Sequence, residues 1–237
     1  MDDGQNKRPA DSDSGTREAQ YNVTLELAKI KGTTELGLMT NYVWHDDPRR
    51  LLFTLARYKF VAKMLSGRKN VLEIGCADAF GTRIVLQEVD QLTATDFDQI
   101  FVDDVLRRMD KDWKFECRQH DFLSGPFPGA FDAAYALDVI EHIPAPVEHV
   151  FIANILQSLT PEGILILGLP SLESQTYASL PSKAGHVNCK TGKGLRDLIE
   201  KFFHNVFVFS MNDEVVHTGF TPMAHYLIGL GCTRRDS

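Results

Sequence analysis

Side chains that could transfer protons or bind a ligand stand at the ends of several predicted strands. Asp96 and Asp121 follow the second and third strands, and Asp138, Glu141 and His142 follow the fourth. Imidazoles titrate near neutral pH, and a carboxylate in such a place can accept hydrogen bonds from ribose hydroxyls. For Asp96 the alternative is a helix cap, although Asp98 is the better candidate for that cap.

A run of small residues within 70–82 is the centre of the pattern. Residues 70–74 are predicted to form a short buried strand, Gly75 breaks it, and Gly81 with Thr82 opens a helix. A strand, a tight turn and a helix start are typical of a mononucleotide-binding half. We expect this turn to let the backbone approach a ligand closely and to point free N–H groups at it.

The elements that must position these residues alternate between strand and helix. Continuous apolar strands indicate a parallel sheet that is covered on both faces, and ligands bind outside the carboxyl ends of its strands. An α-β-β ending closes the chain. The predicted strands cover 70–74, 91–95, 113–118, 131–137, 164–169, 206–211 and 223–230.

Composition limits the partners. A chain of 237 residues with 43% hydrophobic residues can bury a globular core, and its net charge of −7 argues against nucleic acid. We find neither an apolar run near the roughly 20 residues of a membrane span nor an apolar signal region. The four cysteines form no CxxC pair, which fits a reduced, cytoplasmic protein. We expect no nucleic acid, no membrane, and a monomer or homodimer.

Three regions are predicted along the chain. Residues 1–20 are interpreted as a disordered tail, 21–66 as a helical lid or cap, and 67–237 as the ligand-binding domain. Within the second region, 41–45 is interpreted as an aromatic connector before a helix that ends near Leu65. Tyr42, Trp44 and His45 could close over a ligand as a lid or fill the core beneath that helix.

The combined motifs resemble class I S-adenosylmethionine-dependent methyltransferases. The resemblance is closest to small-molecule enzymes of ubiquinone, sugar and natural-product pathways. It implies an α/β, Rossmann-like, doubly wound, mostly parallel seven-stranded sheet with helices on both faces and an antiparallel last strand. The segments that carry it are 71–77, Asp96, 120–122, 131–132 and 138–142.

The resemblance also implies a reaction and a cofactor. A methyl group would move from S-adenosylmethionine to an oxygen, in preference to a nitrogen, of a small polar acceptor such as a sugar or natural-product intermediate. The product of the cofactor would be S-adenosylhomocysteine. A divalent metal is possible but is not predicted.

Cofactor roles follow from the resemblance position by position. The backbone at 75–77 would lie under the methionine part, and Glu73 would steady the turn or reach the amino group. Asp96 would hold the ribose, Phe97 would lie against adenine, and Asp121 would accept from the adenine amino group. The implied cofactor-binding set is Glu73, Gly75, Cys76, Ala77, Gly81, Thr82, Asp96, Phe97, His120, Asp121, Phe122, Leu137 and Asp138.

Two alanines depart from the family pattern. Ala77 and Ala79 stand where glycine is usual, and alanine at positive φ costs about 1 kcal/mol. Either the turn keeps negative φ or it is reshaped. The missing glycines count more heavily against a dinucleotide site. A nucleotide-binding oxidoreductase and a non-catalytic cofactor-binding member remain the alternatives.

The predicted catalytic residues are His142, His186 and Glu141. Either histidine could act as the general base for an acceptor hydroxyl. Glu141 and His142 could instead stiffen the turn after the fourth strand, or bind a metal together with Asp138. The polar segment 171–190, which carries His186, is interpreted as an acceptor loop or as a solvated loop. His217 and His225 are expected on the surface or in the sheet.

Overall fold

The computed structural model describes residues 15–235, so most of the predicted tail lies outside the described residues. The described residues up to Glu35 form one compact unit, and those from Leu36 onward form another. The first unit holds helix α1 (Asn22–Lys31), within the region 21–66 that is predicted to be helical. None of the described helices is long and apolar enough to cross a membrane.

The second unit alternates strands and helices around one sheet. Its helices are α2 (Leu38–Asp46), α3 (Arg49–Met64), α4 (Thr82–Leu86), α5 (Gln99–Arg108), α6 (Glu148–Gln157), α7 (Leu180–Gly185) and α8 (Gly192–Glu200). Its strands are β1 (Asn70–Ile74), β2 (Gln91–Asp96), β3 (Glu116–Gln119), β4 (Phe131–Leu137), β5 (Leu159–Pro170), β6 (Phe203–Asn212), β7 (Val215–His217) and β8 (Tyr226–Arg234).

The sheet has the order β3-β2-β1-β4-β5-β8-β6-β7. Strands β1 to β5 pair in parallel, β8 is antiparallel to both β5 and β6, and β7 is antiparallel to β6. The doubly wound, mostly parallel sheet is therefore confirmed, with eight strands among residues 15–235 instead of seven. The additional strand is the short edge strand β7. The strand order reverses between β1 and β4, which is where such folds bind ligands.

Two apolar layers cover the sheet. Neighbouring residues of β1 point to opposite faces, so that Val71 joins one buried cluster and Leu72 the other. Tyr135 and Ala136 of β4 divide between the two clusters in the same way. Burial on both faces is why the strands are continuously apolar in sequence.

Three predicted elements need correction. The aromatic connector at 41–45 lies inside α2, β3 begins at Glu116 instead of 113, and the segment 171–190 contains α7. Residues 160–163 belong to β5, because Leu159 still pairs with Phe131 across a register shift.

A candidate cofactor and acceptor site at the carboxyl edge of the sheet

The turn after β1 is left-handed at three positions. Gly75 has a φ of 70°, Ala77 of 46° and Ala79 of 52°. The turn therefore keeps the conformation that glycine favours, in spite of its two alanines, at about 1 kcal/mol each. A Cβ atom added to Gly75 would lie 2.4 Å from Cγ2 of Val139, so this position has no room for a side chain.

The backbone N–H groups at the start of the turn are already paired within the protein. Those of Gly75 and Cys76 donate to the carbonyl of Thr95 over 2.8 and 2.9 Å, and that of Ala77 donates to Oδ2 of Asp96 over 2.8 Å. The expectation that the turn offers free N–H groups is therefore wrong at these three residues. The bonds hold the turn against the end of β2.

Glu73 steadies the turn from inside. Its carboxylate is buried and accepts hydrogen bonds from Tyr58 (2.8 Å) and Thr82 (2.6 Å). Of the two roles predicted for Glu73, this geometry matches the structural one, because each oxygen already has a partner. Burial raises the pKa of Glu73 to about 7, although the hydrogen bonds from Thr82 and Tyr58 oppose that rise. Gly81 lets α3 approach, since a Cβ there would lie 2.2 Å from the ring of Tyr58.

Asp96 lies at the carboxyl end of β2, beside the turn. Its Oδ1 accepts from the N–H of Asp98 over 2.9 Å, and its Oδ2 accepts from Ala77. Burial raises the pKa of this carboxyl group, while the backbone hydrogen bonds from Asp98 and Ala77 oppose the rise. Asp98, not Asp96, occupies the N-cap position of α5, although its side chain makes no capping bond.

The end of β3 lies next to Asp96. The N–H of His120 donates to the carbonyl of Asp96 over 2.8 Å, and Nε2 of His120 lies 3.0 Å from the carbonyl of Gly125. Phe122 is buried, whereas Asp121 and Phe97 are exposed. The residues predicted for the ribose and adenine therefore share one edge of the sheet.

Helix α2 is attached to this turn and to α5 by acidic side chains. The N–H of Thr40 donates to Oδ2 of Asp78 over 2.6 Å, and that of Leu38 donates to Oδ2 of Asp104 over 3.3 Å. Tyr42 and Trp44 are more than half exposed, so the alternative that they fill the core is wrong. A lid role for these two rings stays a prediction.

The end of β4 carries an ion pair that sequence analysis did not find. Asp138 has a φ of 58°, and its Oδ2 accepts a hydrogen bond of 2.7 Å from Arg57 on α3. The guanidinium of Arg57 also lies 3.7 Å from the ring centre of Tyr226. Burial works against the charge of Arg57, but Asp138, Tyr226 and Glu141 together outweigh it, so the pKa of Arg57 is raised.

The three predicted catalytic residues come together. Glu141 and His142 lie in a helical turn after β4, where Glu141 is fully buried and His142 is exposed. His186 follows α7, and its ring centre is 5.2 Å from that of His142. The N–H groups of Val187 and Asn188 both donate to the carbonyl of Glu141 over 2.9 Å, which fixes His186 beside the turn.

The cluster revises the metal set that the sequence suggested. Nitrogen and oxygen atoms of Glu141, His142 and His186 lie within 4.8 Å of one another. Asp138 is hydrogen-bonded to Arg57 and does not belong to this group. His186 takes its place beside Glu141 and His142. His217 lies in β7 and His225 is exposed, as expected for surface or sheet residues.

Comparison with known proteins agrees with the fold. Residues 71–163 match the family model of the methyltransferase domain. The N-methyltransferase NodS from Bradyrhizobium japonicum WM9 is 18% identical, covers 80% of this chain and 99% of its own, and has a TM-score of 0.58. A DhpI-SAM-HEP complex is 17% identical over 86% of this chain and 100% of its own, with a TM-score of 0.56.

A third solved structure of this fold is that of a carbon methyltransferase. The CurJ carbon methyltransferase is 14% identical over 81% of this chain and 61% of its own, with a TM-score of 0.57. No curated protein matches the sequence.

The fold and the turn define a Rossmann-like domain. Residues 71–163 are similar to the methyltransferase domain, and the solved structures named above share the fold. The turn fits an adenosyl cofactor, because it keeps left-handed backbone and leaves no room for a side chain at Gly75. The oxidoreductase alternative receives no support from these comparisons.

Proposed function

We propose that this enzyme methylates an oxygen atom of a small polar acceptor, such as a sugar or natural-product intermediate. The observation that carries the proposal is the cluster of Glu141, His142 and His186 beside Asp138, at the same sheet edge as the cofactor turn. An acceptor hydroxyl must lose a proton on methylation, and imidazoles can take one near neutral pH. NodS and CurJ methylate nitrogen and carbon, so the fold itself does not choose the atom.

The proposed cofactor contacts follow the geometry of the strand ends. The cofactor supplies a sulfonium methyl group. We place its methionine part over 75–77 and next to Leu137 and Asp138, its ribose on Asp96, and its base between Phe97 and Asp121. Since methyl transfer needs the acceptor on the line of attack, positioning by these loops supplies much of the rate.

The hydrogen bonds of His142 suit it to act as a base. Its Nδ1 lies 2.9 Å from the carbonyl of Gly185, which can only accept, so Nδ1 carries the proton and Nε2 has a free lone pair. Burial and the neighbouring His142 lower the pKa of His186, which keeps that imidazole neutral at physiological pH. The segment 171–190 closes on itself, because Ser171 and Lys190 form a bridge, and it borders the cluster as an acceptor loop.

The remaining proposals concern the class of acceptor, the cell compartment and the oligomeric state. The net charge of −7 favours a small acceptor over nucleic acid. We propose a cytoplasmic monomer or homodimer.

A methyl-transfer screen tests the oxygen proposal. The full chain is incubated with isotopically labelled S-adenosylmethionine and matched pools of sugars, phenols and amines, and products are identified by mass spectrometry. We expect label on a hydroxyl-bearing acceptor, and a loss of about 100-fold in His142→Ala. His149→Ala, at an exposed position of α6, is the matched control and should keep full activity. Label on amines alone would contradict the proposal.

A further inference from the structure

We propose that Glu141, His142 and His186 form a binding site for one divalent transition-metal cation. The carboxylate of Glu141 is fully buried, and neither of its oxygens has a hydrogen-bond partner among the described residues. A buried carboxylate without a partner costs several kcal/mol, roughly the penalty of desolvating an ion. A cation held between this carboxylate and the two imidazoles would remove that cost.

Both imidazoles are held in the tautomer that metal binding needs. Nδ1–H of His142 donates to the carbonyl of Gly185 over 2.9 Å. Nδ1 of His186 lies 2.8 Å from Oε1 of Gln175, and Nε2 of Gln175 donates to the carbonyl of Ser171 over 3.1 Å. Because a carbonyl can only accept, the bond to Ser171 orients the Gln175 amide and leaves Oε1 facing His186.

Each histidine therefore has an Nε2 lone pair available, while its Nδ1–H is held by an oxygen. This is the arrangement in which a histidine that binds a metal is oriented by an outer hydrogen bond. Gln175 and the carbonyl of Gly185 are the orienting groups here. Gln175 is thus a positioning residue, since it acts through His186.

The three side chains are near enough to share one cation. One ring nitrogen of each histidine and one carboxylate oxygen of Glu141 lie within 4.8 Å of one another, whereas bonds of about 2.1 Å place adjacent ligands roughly 3 to 3.5 Å apart. Binding of a cation would therefore draw the three side chains together. Two nitrogens and one oxygen suit Mn²⁺, Fe²⁺, Co²⁺ or Zn²⁺, in contrast to Mg²⁺ and Ca²⁺, which prefer oxygen.

Three protein ligands leave coordination positions open. His142 is exposed, so these positions face the side from which an acceptor would enter. A cation there would bind the acceptor hydroxyl and lower its pKa, releasing the proton to water. This role rests on the proposed oxygen acceptor, whereas the binding of the cation does not. In the metal-bound form the two imidazoles are ligands, and they do not act as bases.

Metal binding is measured on the full chain after chelation. MnCl₂ is titrated and followed by electron paramagnetic resonance, and CoCl₂ is followed by visible absorption. We expect one ion per chain, at least 100-fold weaker binding in His186→Ala and Glu141→Gln, and about 10-fold weaker binding in Gln175→Leu. His149→Ala should bind like the wild type.

Calorimetry with S-adenosylhomocysteine tests the proposed cofactor site independently of metal binding. Variants that keep its binding are folded, so their loss of metal can be assigned to the site. No binding of either ion up to millimolar concentration would overturn the inference, as would equal binding in His186→Ala and His149→Ala. Full activity of the chelated enzyme would overturn the catalytic role of the cation and leave His142 as the base.

Discussion

The buried carboxylate of Glu73 should make the stability of the fold depend on pH. Its pKa is raised from 4.5 to about 7 by burial. Below the unfolded value both states are protonated, so Glu73 contributes no pH dependence there. Between the two values the unfolded chain releases the proton while the folded chain keeps it, so rising pH favours unfolding. The difference of about 2.5 between the folded and unfolded pKa values of Glu73 corresponds to roughly 3 kcal/mol of stability lost by neutral pH.

Substitution of Glu73 by Gln isolates this contribution. Glutamine does not titrate and keeps an oxygen for Tyr58 or Thr82. The free energy of unfolding is measured by urea denaturation from pH 4.5 to 8 for the wild type and Glu73→Gln. We expect the wild type to lose about 3 kcal/mol relative to the variant over that range, because the other groups cancel in the difference.

A partly buried glutamate, Glu88, provides a control of opposite sign. Hydrogen bonds from Lys63 and Ser66 lower the pKa of Glu88, so its contribution to stability is present at neutral pH and is lost in acid. The wild type should therefore gain stability relative to Glu88→Gln as pH rises. A difference between wild type and Glu73→Gln that stays constant with pH, or that grows in favour of the wild type, would refute the burial argument.

Three further predictions test the structure around the site. Ala77→Gly should raise the free energy of unfolding by about 1 kcal/mol in urea, because glycine accepts the φ of 46° without strain; a lower stability would contradict the left-handed turn. Arg57→Met should cost about 1–3 kcal/mol in the same assay, since it leaves Asp138 without its ion-pair partner; an unchanged midpoint would show that the pair is not formed. Asp78→Ala should speed amide hydrogen exchange at Thr40, which donates to Asp78, while exchange in β1 stays slow; unchanged exchange at Thr40 would remove that contact.

The sheet could be predicted because its signals are local. Continuous apolar strands, the small-residue turn after β1 and the acidic strand ends are all visible within short windows. These signals placed Asp96 and Asp121 at one edge of the sheet, where the structure has them. The short edge strand β7 could not be found in this way, because three residues give no clear periodicity.

The contacts that complete the site depend on distant pairing. Arg57 and Asp138 lie 81 residues apart, and nothing in the apolar spacing of α3 distinguishes a buried arginine from an exposed one. The same holds for Tyr58, which bonds Glu73, and for α2, whose N-terminal N–H groups are bound by Asp78 and Asp104. A capping pattern within α2 itself would have been visible, but these acids lie much later in the chain.

The candidate acceptor cluster could be predicted only in part from the sequence. Glu141 and His142 were visible as adjacent residues after β4, and His186 was visible as a histidine in a polar segment. Their convergence depends on the N–H groups of Val187 and Asn188 meeting the carbonyl of Glu141. Because these residues are far apart in the chain, no short stretch of sequence shows that contact.

Binding of S-adenosylhomocysteine to the wild type, Asp96→Asn and Asp98→Asn tests most directly that the strand ends of β1 and β2 hold the adenosyl cofactor. We expect calorimetry to give micromolar binding to the wild type and about 10- to 100-fold weaker binding to Asp96→Asn, which loses a charged hydrogen bond. Asp98→Asn should bind like the wild type, because its side chain makes no capping bond. Absence of binding to the wild type, or equal binding to all three proteins, would contradict the assignment.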